Sequence, residues 1–126
     1  MKVRESALRL KRFDAEEKAQ KVAALEQMIR EFEQMASDLE RQVEAEEERT
    51  GVRDANHFAY STFARSAAQR RDKLMASIAD LQDKLDVAAV ERDEAVAELD
   101  QVDAVHQRDD ERMRVRGETA DVAAVR

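Results

Sequence analysis

Cysteine and proline are absent from this 126-residue chain, glycine occurs twice, and only four Phe and one Tyr are aromatic. Without cysteine there can be no disulfide and no thiolate metal site, which fits a reducing compartment. Without proline, and with Gly51 the one glycine placed to interrupt an ordered segment, almost nothing breaks a helix. No apolar run approaches the roughly 20 residues that span a bilayer. The opening MKVRESALRLKRF carries charges at both ends and no apolar stretch, so a secretory signal is not expected. These absences point to the cytosol. Large apolar residues are too few to fill a globular core.

What the chain does contain is charge and helix formers. Asp, Glu, Lys and Arg make up 40% of it, and with Ala, Leu and Gln this is the profile of a long helix or coiled coil. A disordered chain of similar charge would lack ordered apolar spacing. The net charge of −7 is unevenly placed. Residues 1–12 carry Lys2, Arg4, Arg9, Lys11 and Arg12 against Glu5. Residues 38–48 carry Asp38, Glu40, Glu44, Glu46, Glu47 and Glu48 against Arg41. A basic end on an acidic chain fits a protein or anionic partner there, or plain solvated helix surface.

Apolar residues follow a heptad rhythm. With Leu8 at a, the a positions are Leu8, Ala15, Val22, Ile29, Ala36 and Val43, and the d positions are Lys11, Lys18, Leu25, Phe32, Leu39 and Glu46. This periodicity is that of a helix seeking another helix, with loose ends around a firmer middle. Met28 and Met35 at g, and Met75 in the second segment, read as flexible core filler. A second stripe advances by alternating steps of four and three: Tyr60, Ala64, Ala67, Arg71, Leu74, Ile78, Leu81, Leu85, Ala88, Arg92, Ala95, Leu99, Val102 and His106. Asp109 interrupts it before Met113.

Between the stripes lies TGVRDANHFAYS. Gly51 is placed to stop the first helix by adopting positive φ, and Asp54, Asn56 or Ser61 could cap the next. The expected fold is all-α: two long helices, 3–49 and 61–116, in an antiparallel coiled-coil hairpin with a hinge at 50–60. One hairpin accounts for 1–116, and 117–126 is a frayed tail. Antiparallel partners should then have numbers adding up to about 110. That pairs Phe32 with Ile78, Ile29 with Leu81 and Leu25 with Leu85, so the strong centres of the two stripes coincide.

No enzymatic role is expected, because a two-helix hairpin offers no concave site that excludes water. No cofactor or metal is called for. His57 lies in the link as a turn residue or partner contact, and His106 falls on the seam in a packing role. Glu46, Glu47 and Glu48 point apart on a helix and read as a solvated face rather than a cation site. Nucleic-acid binding is not expected of an acidic chain without a recognisable module. Among the hinge aromatics Tyr60 sits on the seam register, where it would close the tip. Phe63 lies one residue off it and should be at least partly exposed beside Arg65, Arg70 and Arg71, as a partner contact or as part of an aromatic cap over the turn. Phe58 is left without an assigned role.

The segments SALRLKRFDAEEKAQKVAALEQMI and DLERQVEAEEERTGVRDANHFAYSTFARSAAQRRDKL resemble the FliJ family of flagellar export proteins, in its alphaproteobacterial form. The resemblance covers about residues 4–106, and its most specific parts are LRLKRF and HFAYSTFA. It implies an antiparallel two-helix coiled coil in the cytoplasmic part of the flagellar type III export apparatus, peripheral to the inner membrane. Family members promote the export ATPase ring, engage the cytoplasmic domain of the export gate and interact with export chaperones. They approach the membrane only through these partners. Carried onto this chain, Arg4, Leu8, Arg9, Lys11 and Arg12 would face the ATPase, and Tyr60, Phe63, Ala67 and Arg70 the gate. Ala67 and Arg70 depart from the larger apolar residues expected there, and GETADVAAVR has no match in the family pattern. The alternatives are a coiled-coil tether or adaptor with no role in regulating an ATPase, and a substrate chaperone, which would show a broader apolar groove.

Overall fold

The computed structural model describes residues 2–125, with side chains for 3–119. Helix α1 is Lys2–Thr50 and helix α2 is Thr62–Val125, with no strand among the described residues. The fold is an all-α helical hairpin. Its contacts divide it into two compact units: Val22–Val87, which contains the turn, and Met1–Lys21 with Ala88–Arg126.

In the unit Val22–Val87, Ile29, Ile78 and Leu81 form a buried cluster flanked by Leu25, Phe32 and Leu85. These are the six residues paired by the antiparallel register. Nearer the turn, Leu39 and Val43 of α1 pack with Ala64 and Ala67 of α2, and Tyr60, Ala68 and Leu74 lean on them. Small side chains on α2 let the helices draw together there. Arg71, on the seam register, turns its guanidinium outward to Glu40 across the helices and to Asp72 beside it.

In the other unit the buried apolar residues are Leu8, Ala15, Ala88 and Ala95. The register persists through the ion pairs Arg4–Asp109 and Lys11–Glu98, the second at 2.8 Å. Lys18, at a d position, folds back onto Asp14 at 2.6 Å, and that hydrogen bond raises the pKa of its ammonium.

All six a positions of α1 are buried. Three sequence expectations are corrected. Met28, Met35 and Met75 are exposed, not core filler, because two helices cover only the a and d faces and no third helix reaches the flanks. Glu46 and Glu47 are not simply solvated: both are half-buried and hydrogen-bonded to residues beyond Gly51. Finally, α2 does not end at 116 but continues through Gly117 to Val125. A helical glycine costs about 1 kcal/mol relative to alanine, too little to end a helix where no proline follows. Arg126, the last residue of the expected tail, lies outside the described residues.

Candidate functional site

The hinge is built from backbone hydrogen bonds and short polar side chains. Gly51 has φ +74°, and its N–H donates to the Glu47 carbonyl at 2.9 Å, closing α1 with a left-handed cap. A Cβ there would meet nothing within 4 Å, so conformation rather than space selects glycine. The Asp54 carboxylate accepts the Asn56 N–H at 2.9 Å, and the His57 Nδ1 accepts the Ala59 N–H at 3.0 Å. His57 and Tyr60 donate their N–H groups to the carbonyls of Asp54 and His57, each at 3.0 Å. Of the three candidate caps, Ser61 is the one used: its Oγ accepts the Ala64 N–H at 3.2 Å.

The same hydroxyl donates to Glu46 Oε1 at 2.8 Å, so the cap of α2 is tied to the last turns of α1. Arg49 donates to both Glu46 oxygens at 2.6 and 3.1 Å. The Arg49 hydrogen bonds, and then that from Ser61, hold the Glu46 carboxyl down from 4.5 to about 2. Tyr60 packs on the apolar cluster and directs its hydroxyl toward Glu47, with the Arg65 guanidinium 5.4 Å above its ring. Burial, and then the nearby Glu47 charge, raise the pKa of its phenol. Arg65 also donates to the Ala55 carbonyl at 2.7 Å, bracing the loop.

Tyr60 thus closes the turn, as its register predicts. Phe63 is 55% exposed, while Phe58 is 96% exposed and stacks on His57 with ring centroids 4.7 Å apart. Ala67, expected as a partner contact, is only 3% exposed and belongs to the seam. Arg70 is exposed and makes no ion pair among the described residues. With Lys73 it rims a groove of about 410 Å³ whose apolar lining is Met35, Leu39 and Leu74.

The basic segment separates in the same way. Leu8 is 6% exposed and faces α2, so it is unavailable to a partner. Arg4 and Lys11 are engaged with Asp109 and Glu98. Arg9 and Arg12 are exposed and make no ion pair among the described residues. His106 sits half-buried on the seam with Nε2 3.3 Å from Asp110. Val3, Leu10 and Phe13 are exposed large apolar side chains that the heptad reading passes over. Their signal was available: spaced by seven and three residues, they form a second helical line off the seam.

Among the described residues, no group of three His, Asp or Glu side chains could hold a metal ion, and no helix is long and apolar enough to cross a membrane. No family model matches the chain, and comparison with curated proteins and with solved structures finds nothing similar.

Proposed function

We propose that this chain is a non-enzymatic, cytoplasmic component of the flagellar type III export apparatus, a coiled-coil stalk of the FliJ kind. It promotes the export ATPase and links it to the export gate and to chaperones. The reading rests on the LRLKRF and HFAYSTFA segments together with the hairpin fold. The observation that carries it is the division of labour within HFAYSTFA: Tyr60 is held against the core while Phe63 stays exposed, with Arg70, which makes no ion pair among the described residues, two helical turns further along α2. An aromatic ring and an arginine presented together are the composition of a binding hot spot. At the basic segment, Arg9 and Arg12 are exposed and make no ion pair among the described residues, which leaves them open to the ATPase.

A tether that oligomerised through its seam would need the a-position side chains, and those are already buried against the chain's own α2. The test is a titration of the purified chain into the flagellar export ATPase, read as hydrolysis rate. Stimulation is expected, and Arg9→Glu with Arg12→Glu should weaken it while helicity stays intact. Unchanged stimulation by that variant, or none by the wild type, removes the stalk assignment.

A further inference from the structure

Between residues 22 and 87 the two flanks of the seam carry opposite charge. With Ala64 as an a position of α2, the g positions of both helices border one flank and the e positions the other, as antiparallel pairing requires. The g positions include Arg49, Arg70 and Lys84 and no carboxylate, and the e positions Glu26, Glu33, Glu40 and Glu47 and no cation. The b and c positions behind them carry both signs, so the contrast is confined to the borders of the seam. Arg49 is tied to Glu46, Glu40 to Arg71 and Glu47 to Tyr60. Arg70, Lys84, Glu26 and Glu33 are exposed and make no ion pair among the described residues.

Each flank also bears a groove over the same stretch of seam. On the g flank, the groove walled by Met35, Leu39 and Leu74 is rimmed by Arg70 and Lys73, both without an ion pair among the described residues. Its one carboxylate, Asp38, is bound to Arg41. On the e flank, a groove of about 380 Å³ is lined by Ala36, Met75, Glu33 and Glu40, and its one cation, Arg71, is bound to Glu40 and Asp72. The charges left over are therefore two cations in the first groove and Glu33 in the second. Met35 and Met75, 49% and 54% exposed, stand at one level of the register that sets Ile29 against Leu81. Methionine suits a surface that packs against another protein.

We propose that the occupant of each groove is a second copy of this chain, with the g flank of one copy laid against the e flank of the next. The free cations Arg70, Lys73 and Lys84 all lie on α2, and the e-position glutamates all lie on α1. Opposite charges therefore meet when α2 of one copy covers α1 of its neighbour, which also sets Met35 on α1 over Met75 on α2. With like flanks facing the same way, that overlay points the two turns in opposite directions. Arg70 stands about five residues nearer the turn than Met35, and five residues the other way on the neighbour's α1 is the gap between Glu26 and Glu33. Lys84 stands about nine residues farther from the turn, and falls in the same way between Glu40 and Glu47. A single stagger thus satisfies the methionines and both cations. Such a contact is heterologous, so each copy keeps one free flank of each kind and further copies add in a row. Arg70 also belongs to the partner surface proposed above, so that partner and a neighbouring copy compete for this flank. The inference does not rest on the export reading.

Sedimentation of the full chain over a concentration series provides the test. Exposed ion pairs and half-covered methionines make a weak contact, so association should set in with a Kd on the order of 100 µM. A chain that stays monomeric at about 1 mM overturns the proposal and leaves the grooves to a different protein. One variant reverses the basic flank (Lys73→Glu with Lys84→Glu) and another the acidic flank (Glu26→Lys with Glu33→Lys). All four positions are exposed and make no ion pair among the described residues, so circular dichroism should show unchanged helicity. Each variant alone should be monomeric. Their mixture should form a one-to-one pair that grows no further, because one good flank remains on each. Variants that still associate alone, or a mixture that does not associate, overturn the proposal. The chain has no cysteine, so Met35→Cys and Met75→Cys chains carry one thiol each. Mixed under mild oxidation they should cross-link about tenfold faster than either does with itself. Equal rates would mean that like flanks meet, and would overturn the arrangement. Because these readouts need no ATPase, failure here is distinct from failure to stimulate hydrolysis.

Discussion

Glu46 is the most heavily used side chain of the hinge, accepting hydrogen bonds from Arg49 on its own helix and from Ser61 across the turn. Its folded-state pKa is depressed from 4.5 to about 2. A depressed carboxylate contributes stability that is fully present above its unfolded value and is lost as pH falls through its folded one. Urea midpoints should therefore decline between pH 4.5 and 2, and Glu46→Gln should flatten that decline; a parallel slope in the variant would remove Glu46 as its source. Ser61→Ala should cost about 1 kcal/mol from the lost cap, with a further loss from the orphaned Glu46 contact. Gly51→Ala should cost roughly 1–2 kcal/mol by placing a Cβ residue at positive φ. Phe63→Ala, by contrast, should leave the urea midpoint in place and, if the proposed function holds, reduce binding to the export-gate domain proposed as its partner. Unfolding instead would mean that the ring supports the core.

At the scale of the helices, the seam separates positions that matter from those that do not. Leu81→Asp places a charge among Ile29, Ile78 and the residues around them, and an uncompensated buried charge costs about 3–5 kcal/mol. Thermal melting followed by circular dichroism should show the hairpin lost or severely weakened. Met35→Ser, on the exposed flank, should change stability by less than about 0.5 kcal/mol. The register was legible in the sequence because the large apolar residues of both stripes peak around Ile29 and Leu81, and only one antiparallel alignment lets the peaks meet. The surroundings of the seam were harder to read. Met28 and Met35 look like core by hydrophobicity, yet only a covering third helix would bury them. Leu8 and Ala67 were assigned to partners by resemblance, although each lies on a stripe that a hairpin must bury. The choice of Ser61 over Asp54 and Asn56 depends on where the loop rejoins the helix axis, which the sequence leaves open.

Across the whole molecule the two units differ in what holds them. Val22–Val87 buries isoleucine, leucine and valine in two clusters, whereas Met1–Lys21 with Ala88–Arg126 relies on Leu8, three alanines and exposed ion pairs. Exposed pairs contribute about 0–1 kcal/mol each. Native-state amide exchange should accordingly be about tenfold or more slower around Ile29, Leu39 and Leu81 than around Leu8 and Ala95. Uniform protection would contradict this ranking.

The tie between Ser61 and Glu46 has a consequence for how the chain folds. It joins residues 15 apart, while Arg71–Glu40 spans 31, Lys11–Glu98 spans 87 and Arg4–Asp109 spans 105. Closing a loop becomes entropically harder with its length, and local contacts form soonest. Once Ser61 meets Glu46, the seam layers lying between these ties can be added a few residues of each helix at a time. Folding therefore starts at Gly51 and proceeds like a zipper toward the termini, making the best-packed contacts early and leaving the alanine-lined seam for last.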